Sequence, residues 1–210
     1  MYLISICIPS ITERITTTAI LINKIQKQID DNNLNEEIQL VCHMDNRSVP
    51  LIYKRNILQS KSKGKYFMHL DDDDDVSDDY IIKTYNTIKN LETDVDVITY
   101  DQLALVGKNK FKVICDLNSS MDLEYVGIDN KNKLPVYKRY AWQWCLWHNR
   151  FKNVYRSDID TLGCEDPNWL RRVKLEYPKT QKNIPHILHT YNFQDPTKSS
   201  TQSCGTNISK

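Results

Sequence analysis

Glycine and proline are scarce. Five and seven residues in 210 rule out a collagen-like, low-complexity or disordered chain. A charge excess is missing too: 28 Lys and Arg stand against 27 Asp and Glu, a net +1. That removes the basic surplus with which proteins grip nucleic acid or an anionic membrane, so no nucleic-acid partner is expected. No stretch approaches the roughly 20 consecutive apolar residues of a membrane helix. The apolar opening from Tyr2 to Pro9 lacks the basic flank and cleavage site of a leader, so no stable membrane insertion is expected. The six cysteines (Cys7, Cys42, Cys115, Cys145, Cys164, Cys204) form no CxxC pair. Several sit in strand-like apolar contexts where a free thiol behaves as a small hydrophobe, which fits a reducing, cytoplasmic compartment.

What is present suits one domain. At 24.7 kDa and 40% apolar residues, folding could bury close to 70% of the unfolded chain's surface. Leu3 to Pro9 is an apolar, β-branched run stopped by proline. The segment after it, to about Asp30, places Ile22, Ile25 and Ile29 on one face at helical spacing. Ile38 to His43 is a second apolar run, Ile52 to Ser62 is helix-compatible, and Lys65 to Leu70 is a third run. The alternation βαβαβ implies a parallel sheet with crossover helices and a ligand crevice outside the carboxyl ends of its strands. Beyond it a helix is expected from Asp79 to Leu91, then strands near Val95 to Tyr100 and Lys110 to Leu117. A more irregular, Trp-rich second half follows, and the tail from Lys198 reads as frayed.

The third expected strand runs into Asp71 to Asp75, followed by Asp78 and Asp79. Setting these seven aside leaves 20 acids against 28 bases, so the acid is concentrated rather than spread. Two carboxylates about 4 Å apart repel by about 4 kcal/mol at an effective dielectric of 20, so such a cluster on a rigid strand end favours a hard cation. An EF-hand loop is excluded, because glycine is required where Val76 stands and glutamate where Ile82 stands. The alternative is a solvated acidic loop.

Lys54-Arg55-Asn56, then Ser60 to Tyr66, then Leu70-Asp71-Asp72-Asp73-Asp74 resembles the family 2 glycosyltransferases of GT-A fold. The resemblance implies an α/β, Rossmann-like nucleotide-diphospho-sugar transferase fold with a mostly parallel central sheet. It covers residues 3–199: a nucleotide-sugar half to about residue 100, an acceptor half to 199, and a tail over 200–210. It implies that Asp71, Asp72 and Asp73 contact the donor ribose and a Mn²⁺ or Mg²⁺ bridging its two phosphates, with Asp73 the direct ligand and Asp71 beside it. Asp74, Asp75, Asp78 and Asp79 are expected to face solvent or begin the next helix.

At the first strand end Pro9-Ser10-Ile11-Thr12-Glu13 stands where the family usually has Pro-Thr-Tyr-Asn. Pro9, Ser10 and Glu13 would border base and ribose; the other reading is a turn in which Thr12 caps the next helix. At the second, Asp45-Asn46-Arg47-Ser48 replaces Asp-Asp-Gly-Ser, and Asp45 would accept the N3 proton of uracil. Arg55 would reach the donor phosphate or sugar, or tie down the acidic loop.

In the second half, Tyr140 to Arg150 carries tryptophans at 142, 144 and 147, followed by Gly163-Cys164-Glu165-Asp166-Pro167-Asn168-Trp169. By resemblance Asp166 is the general base of an inverting transfer and Glu165 orients it or binds the acceptor, the reverse assignment being the runner-up. Trp144, Trp147 and Trp169 would stack on acceptor sugars, or else pack in the core. His189, with His186 as alternative, would add a ligand to the metal.

The function so implied is metal-dependent transfer of a sugar from a nucleoside diphosphate donor, UDP-linked by preference, to a hydroxyl of a glycan or glycosylated acceptor. Small size and an Asn/Lys/Ile-rich text resemble members from large DNA viruses or AT-rich bacteria, which for a virus would mean the host cytoplasm. Two rivals stand beside it. A nucleotidyltransferase normally shows a Gly-rich phosphate loop, and Ser10 to Arg14 has no glycine. A non-catalytic nucleotide or carbohydrate binder of the same fold would keep the donor pocket without turnover.

Overall fold

Strand β1 (Ile4–Ile11) is buried almost throughout, and a 3-10 turn at Thr12–Arg14 leads from it into helix α1 (Ile15–Asp31) in a computed structural model describing residues 2–156 and 165–193. β2 (Ile38–Asp45), α2 (Leu51–Lys61) and β3 (Tyr66–His69) complete the expected alternation. β4 (Asp75–Val76) is a two-residue strand, and α3 (Tyr80–Lys89) follows. Then come β5 (Val97–Val106), β6 (Asn109–Cys115), β7 (Glu124–Asp129), β8 (Leu134–Arg139) and β9 (Leu146–His148). α4 (Glu165–Leu175) and β10 (Gln181–Phe193) end the described chain. The half expected to be irregular is thus mostly strand, while the expected frayed tail lies outside the described residues.

β1 pairs in parallel with β2 on one side and β3 on the other. β9 runs antiparallel to both β3 and β5, so β5 points the same way as β3, and β10 lies parallel to β5. β2, β1, β3, β5 and β10 therefore share one direction, with β9 reversed among them. β10 takes one edge of β5 along its whole length. β9 and β6 must then share the other edge, β9 at Val97–Ile98 and β6 at Gln102–Val106. From β6 a narrower arm continues through β8 to β7.

A strand covered on both faces needs a continuous apolar run, which is why β1 and β3 stood out in the sequence. α1 buries Leu21, Ile25 and Ile29 at four-residue spacing, with Ile22 half-buried at the edge of that stripe. Gly64 is required by close approach: a Cβ there would come within 2.5 Å of the Ser5 backbone nitrogen. The 64 N–H instead donates to the Ser5 hydroxyl at 2.8 Å, pinning the turn before β3 to β1. Thr12 does not cap α1, since it lies inside the 3-10 turn and no side chain caps either segment. No helix among the described residues is long and apolar enough to cross a membrane. The shared direction and register bring the carboxyl ends of β1, β2 and β3 to one rim, Ile11 beside Asp45 and His69 beside Cys7.

Candidate active site

The acidic run turns tightly as it leaves β3, the Asp74 N–H donating to the Asp71 carbonyl at 3.2 Å. Its members then divide. Asp72 is buried and accepts from Arg14 Nη1 and Ser10 Oγ, each at 2.7 Å. Asp74 is also buried: its Oδ2 lies 3.0 Å from His189 Nε2, and its Oδ1 accepts from the Asn192 N–H at 3.0 Å. Burial pushes the Asp74 carboxyl above the usual range, and the imidazole beside it works in the opposite direction. This corrects the expectation that Asp74 faces solvent; Asp75 and Asp78 do, reached from outside by Lys24 at 3.0 and 3.2 Å. Asp79 stands at the start of α3 as expected, bonded by the Ser77 hydroxyl at 2.8 Å.

Asp71 and Asp73 point to the open side, with side chains 31% and 39% exposed. Arg14 Nη1 reaches Asp73 at 2.8 Å. Partial burial, with Asp71 and Asp74 close by, nevertheless raises the Asp73 pKa to about 7. A carboxyl held neutral near pH 7 by crowded acids is one that a cation would stabilise as the anion.

Arg55 is almost wholly buried on α2 and joins two distant parts of the chain. Its Nη2 binds Asp71 at 2.6 Å and its Nη1 binds Asp166, the second residue of α4. Arg156 stands 3.5 Å from the same Asp166 oxygen, is held by Gln143 at 2.8 Å and lies over the Trp169 ring at 4.8 Å. Glu165 is the first residue of that helix, while Gly163 and Cys164 lie outside the described residues. Lys54, also buried, ties Asp45 to the Ser10 carbonyl, closing a network from the ends of β1 and β2 through β3 to α4.

Several expected contacts take other roles. Asp45 has little acceptor capacity left for a base, because Lys54, the Val49 and Arg47 N–H groups and the Ser48 hydroxyl all bind it. Burial acts to raise its pKa, but the Lys54 and Val49 bonds outweigh this and bring it down to about 2. Ser10 spends its hydroxyl on Asp72 and Thr18, so it braces the acidic loop; Pro9 is buried within β1. Glu13 is exposed and pairs at 3.1 Å with Arg47, whose φ of 69° is left-handed, at the position where the family usually has glycine.

His189 is corrected as a metal ligand. It is fully buried, with Nδ1 on Gln102 at 2.9 Å, Nε2 facing Asp74, and its ring stacked on Trp144 at 4.9 Å. The tryptophans are corrected as sugar platforms. Trp147 and Trp169 are 0% exposed and Trp144 5%. Each indole N–H of the first two is spent on a backbone carbonyl, Trp142 for Trp147 and Val154 for Trp169. Exposed His186 bonds only its neighbour's carbonyl among the described contacts. Nothing in the sequence pointed to Arg14, Lys54 or Arg156 as partners of these acids, although Arg14 stands only four residues past Ser10.

Among the described residues no three His, Cys, Asp or Glu side chains converge as a cage for a metal ion. Mg²⁺ and similar ions are commonly held by one or two carboxylates together with substrate phosphates, keeping their remaining waters. Asp73, open and crowded by like charge, with Asp71 beside it, fits that arrangement.

No protein-family model matches the chain, and no curated protein matches it by sequence. Among solved structures it is similar to S. aureus TarS, a GT-A-type glycosyltransferase, with a TM-score of 0.59 at 13% identity over 90% of this chain. It is likewise similar to TarS 1–349 in complex with UDP-GlcNAc (TM-score 0.56, 12% identity, 90% of this chain). The complex of the same fragment with UDP gives a TM-score of 0.57 at 12% identity, again over 90% of this chain. The chain spans 36% of the longer TarS structure and 58% and 60% of the two complexes. At such identity the likeness is one of architecture: the chain has the GT-A, Rossmann-like fold of nucleotide-diphospho-sugar transferases, with a mostly parallel central sheet.

Proposed function

We propose that this chain is an inverting glycosyltransferase that moves a sugar from a UDP-linked donor to a hydroxyl of a glycan or glycosylated acceptor. The observation that carries this reading is the Arg55 bridge, which ties the acidic loop after β3 to the start of α4 through one buried side chain. A transfer needs those two groups together, one side to hold the departing diphosphate and the other to take the acceptor's proton. The UDP and UDP-GlcNAc complexes of the similar fold support the choice of donor.

Asp71 borders the donor ribose, and Asp73 with Asp71 would hold a Mn²⁺ or Mg²⁺ ion. When bound, that ion supplies Lewis-acid stabilisation of charge on the diphosphate. Asp72 is buried and holds Arg14 against the loop, so that the loop keeps its shape. Asp166 is the base: its Oδ1 is fixed by Arg55, and its Oδ2 takes the proton from the acceptor hydroxyl. The bond from the anomeric carbon to the acceptor oxygen forms as the bond to the diphosphate oxygen breaks, and UDP leaves with that electron pair. Glu165, one residue earlier, is assigned to the acceptor side.

Asp166→Asn tests the reading. A positioned base is worth roughly 10² to 10⁴ in rate, so UDP-sugar turnover should fall by that factor while UDP still raises the melting temperature. Unchanged turnover removes Asp166 from the role. No hydrolysis or transfer by the wild type with any UDP-sugar and Mn²⁺ leaves a donor-binding module instead.

A further inference from the structure

β5 runs past the core, and its last residues carry the arm of β6, β8 and β7 on one edge and the end of β10 on the other. Residues paired across neighbouring strands share a face of the sheet, so the registers spell out rows. One row reads His189, Gln102, Val113, Tyr137, Tyr125. On the same face, one pleat further out, stand Tyr191, Ala104, Phe111, Pro135 and Ile128. Ring contacts agree with the registers: Phe111 and Tyr137 centroids are 5.0 Å apart, Tyr137 and Tyr125 5.6 Å. The face opens toward its rim, where Tyr125 is 60% and Ile128 61% exposed.

Its inner end is fastened to the candidate active site. His189 faces Asp74, and the Asn192 N–H, next to Tyr191, donates to Asp74 at 3.0 Å. Ala104, small and almost covered, stands between Tyr191 and Phe111 in this row. Four strand-to-strand steps of about 4.8 Å give this face a reach of roughly 19 Å.

Resting on the function proposed above, we infer that this aromatic face binds the acceptor as an extended saccharide chain, with its reacting end at Tyr191. Rings on the three adjoining strands β6, β8 and β7 suit sugar rings, each with an apolar C–H face to lay on an aromatic and hydroxyls left for solvent. Tyr191 lies within the electrostatic reach of Asp71, Asp73 and Asp166 as well as Asp74, and this continuity with the proposed reacting groups favours a substrate over an unrelated partner. The role expected of the buried tryptophans passes to these tyrosines and Phe111.

The test uses the full chain and the double variant Tyr125→Ser/Ile128→Ser, whose side chains are exposed enough to change without disturbing the core. Chitohexaose, maltohexaose and laminarihexaose are titrated beside their disaccharides, with binding read by intrinsic fluorescence and saturation-transfer NMR. At least one hexasaccharide should bind at least about tenfold tighter than its disaccharide, and the double variant should lose that preference. The inference is overturned if no saccharide shows a length preference, or if the variant keeps it. It is also overturned if the variant turns a dimer into a monomer in sedimentation, which would give the face to a second copy of this chain. A melting-temperature rise with UDP and Mn²⁺ is measured in parallel. Its absence in the wild type counts against the donor site, whereas its presence with failed saccharide binding counts against the aromatic face alone.

Discussion

Asp71 and Asp73 differ from Asp72 and Asp74 only by alternation along one turn, yet the two pairs belong to different problems. Asp72 and Asp74 are buried, and each has partners that repay the loss of water: Arg14, Ser10 and Thr18 for the first, His189 and the Asn192 N–H for the second. Asp71 and Asp73 are left partly in solvent, held from the side by Arg55 and Arg14. A buried acid without partners is expensive, so the inward pair had to be spent on the fold. The outward pair keeps solvent-facing oxygens that a ligand can reach. One loop thus carries a buried set of carboxylates bound up in the fold and a partly exposed set to which the proposed function assigns the ligand, separated by which way each faces.

The sharpest way to break this contrast is to neutralise one outward carboxylate and, separately, to empty a core position behind the site. Asp73→Asn should lower turnover by about 10² to 10³, the usual loss when one electrostatic contributor to a transition state is removed. Its melting temperature without ligand should rise, because like-charge crowding is relieved. A variant as active as wild type would end the division of labour proposed for the loop. Trp169→Ala should do the reverse, costing about 3–5 kcal/mol of stability, measured by urea denaturation. It fills the core beneath Arg156 and gives its indole N–H to the Val154 carbonyl.

Those two residues also mark what a sequence can disclose. The β1-to-β3 half was legible because strands buried on both faces must be apolar runs, and Asp71 to Asp73 follow such a run directly. Asp166 drew notice through a motif and Arg55 through its place on the helix, and the structure brings these two side chains together. The strands of the second half were less legible: β7 is exposed at most positions, and β10 breaks register on either side of Ile187, so neither shows clean alternation. Nor does local sequence reveal who pairs with whom. Arg14 meets Asp72 across 58 residues, and His189 lies more than a hundred residues from Asp74. A buried tryptophan and a ligand-stacking tryptophan are written with the same letter, and only packing distinguishes them.

Asp74→Ala sharpens the structural side. Removing it leaves the Asn192 N–H unsatisfied and His189 without its acid, a cost of roughly 1–3 kcal/mol. Urea denaturation should show that loss; a stability within error of wild type would mean that the loop needs no inward anchor.

The outward side has its own signature in pH. Asp73 titrates at about 7 in the folded chain against an ordinary value of 3.8. Between those values the folded state keeps a proton that the unfolded chain has released. This contribution to stability is therefore full below about pH 4 and is lost as pH rises through about 7. Mn²⁺ with UDP should displace that proton, so the melting-temperature rise they cause should be larger at pH 8 than at pH 5. Asp73→Asn should flatten both trends, and slopes that survive the substitution would assign them to another group.

The smallest effect is expected outside both sets. Lys24 spans Asp75 and Asp78 on the surface, where water screens the charges and long side chains must be ordered to meet. Two short ion pairs there look as persuasive on distance as the pair between Arg55 and Asp71. Burial separates them: Arg55 is 2% exposed, whereas Asp78 is 96% exposed. Lys24→Met should therefore change stability by less than about 1 kcal/mol and leave turnover untouched. A larger loss in urea denaturation, one that shrinks in high salt, would show that the outer acids also help to hold the loop in place.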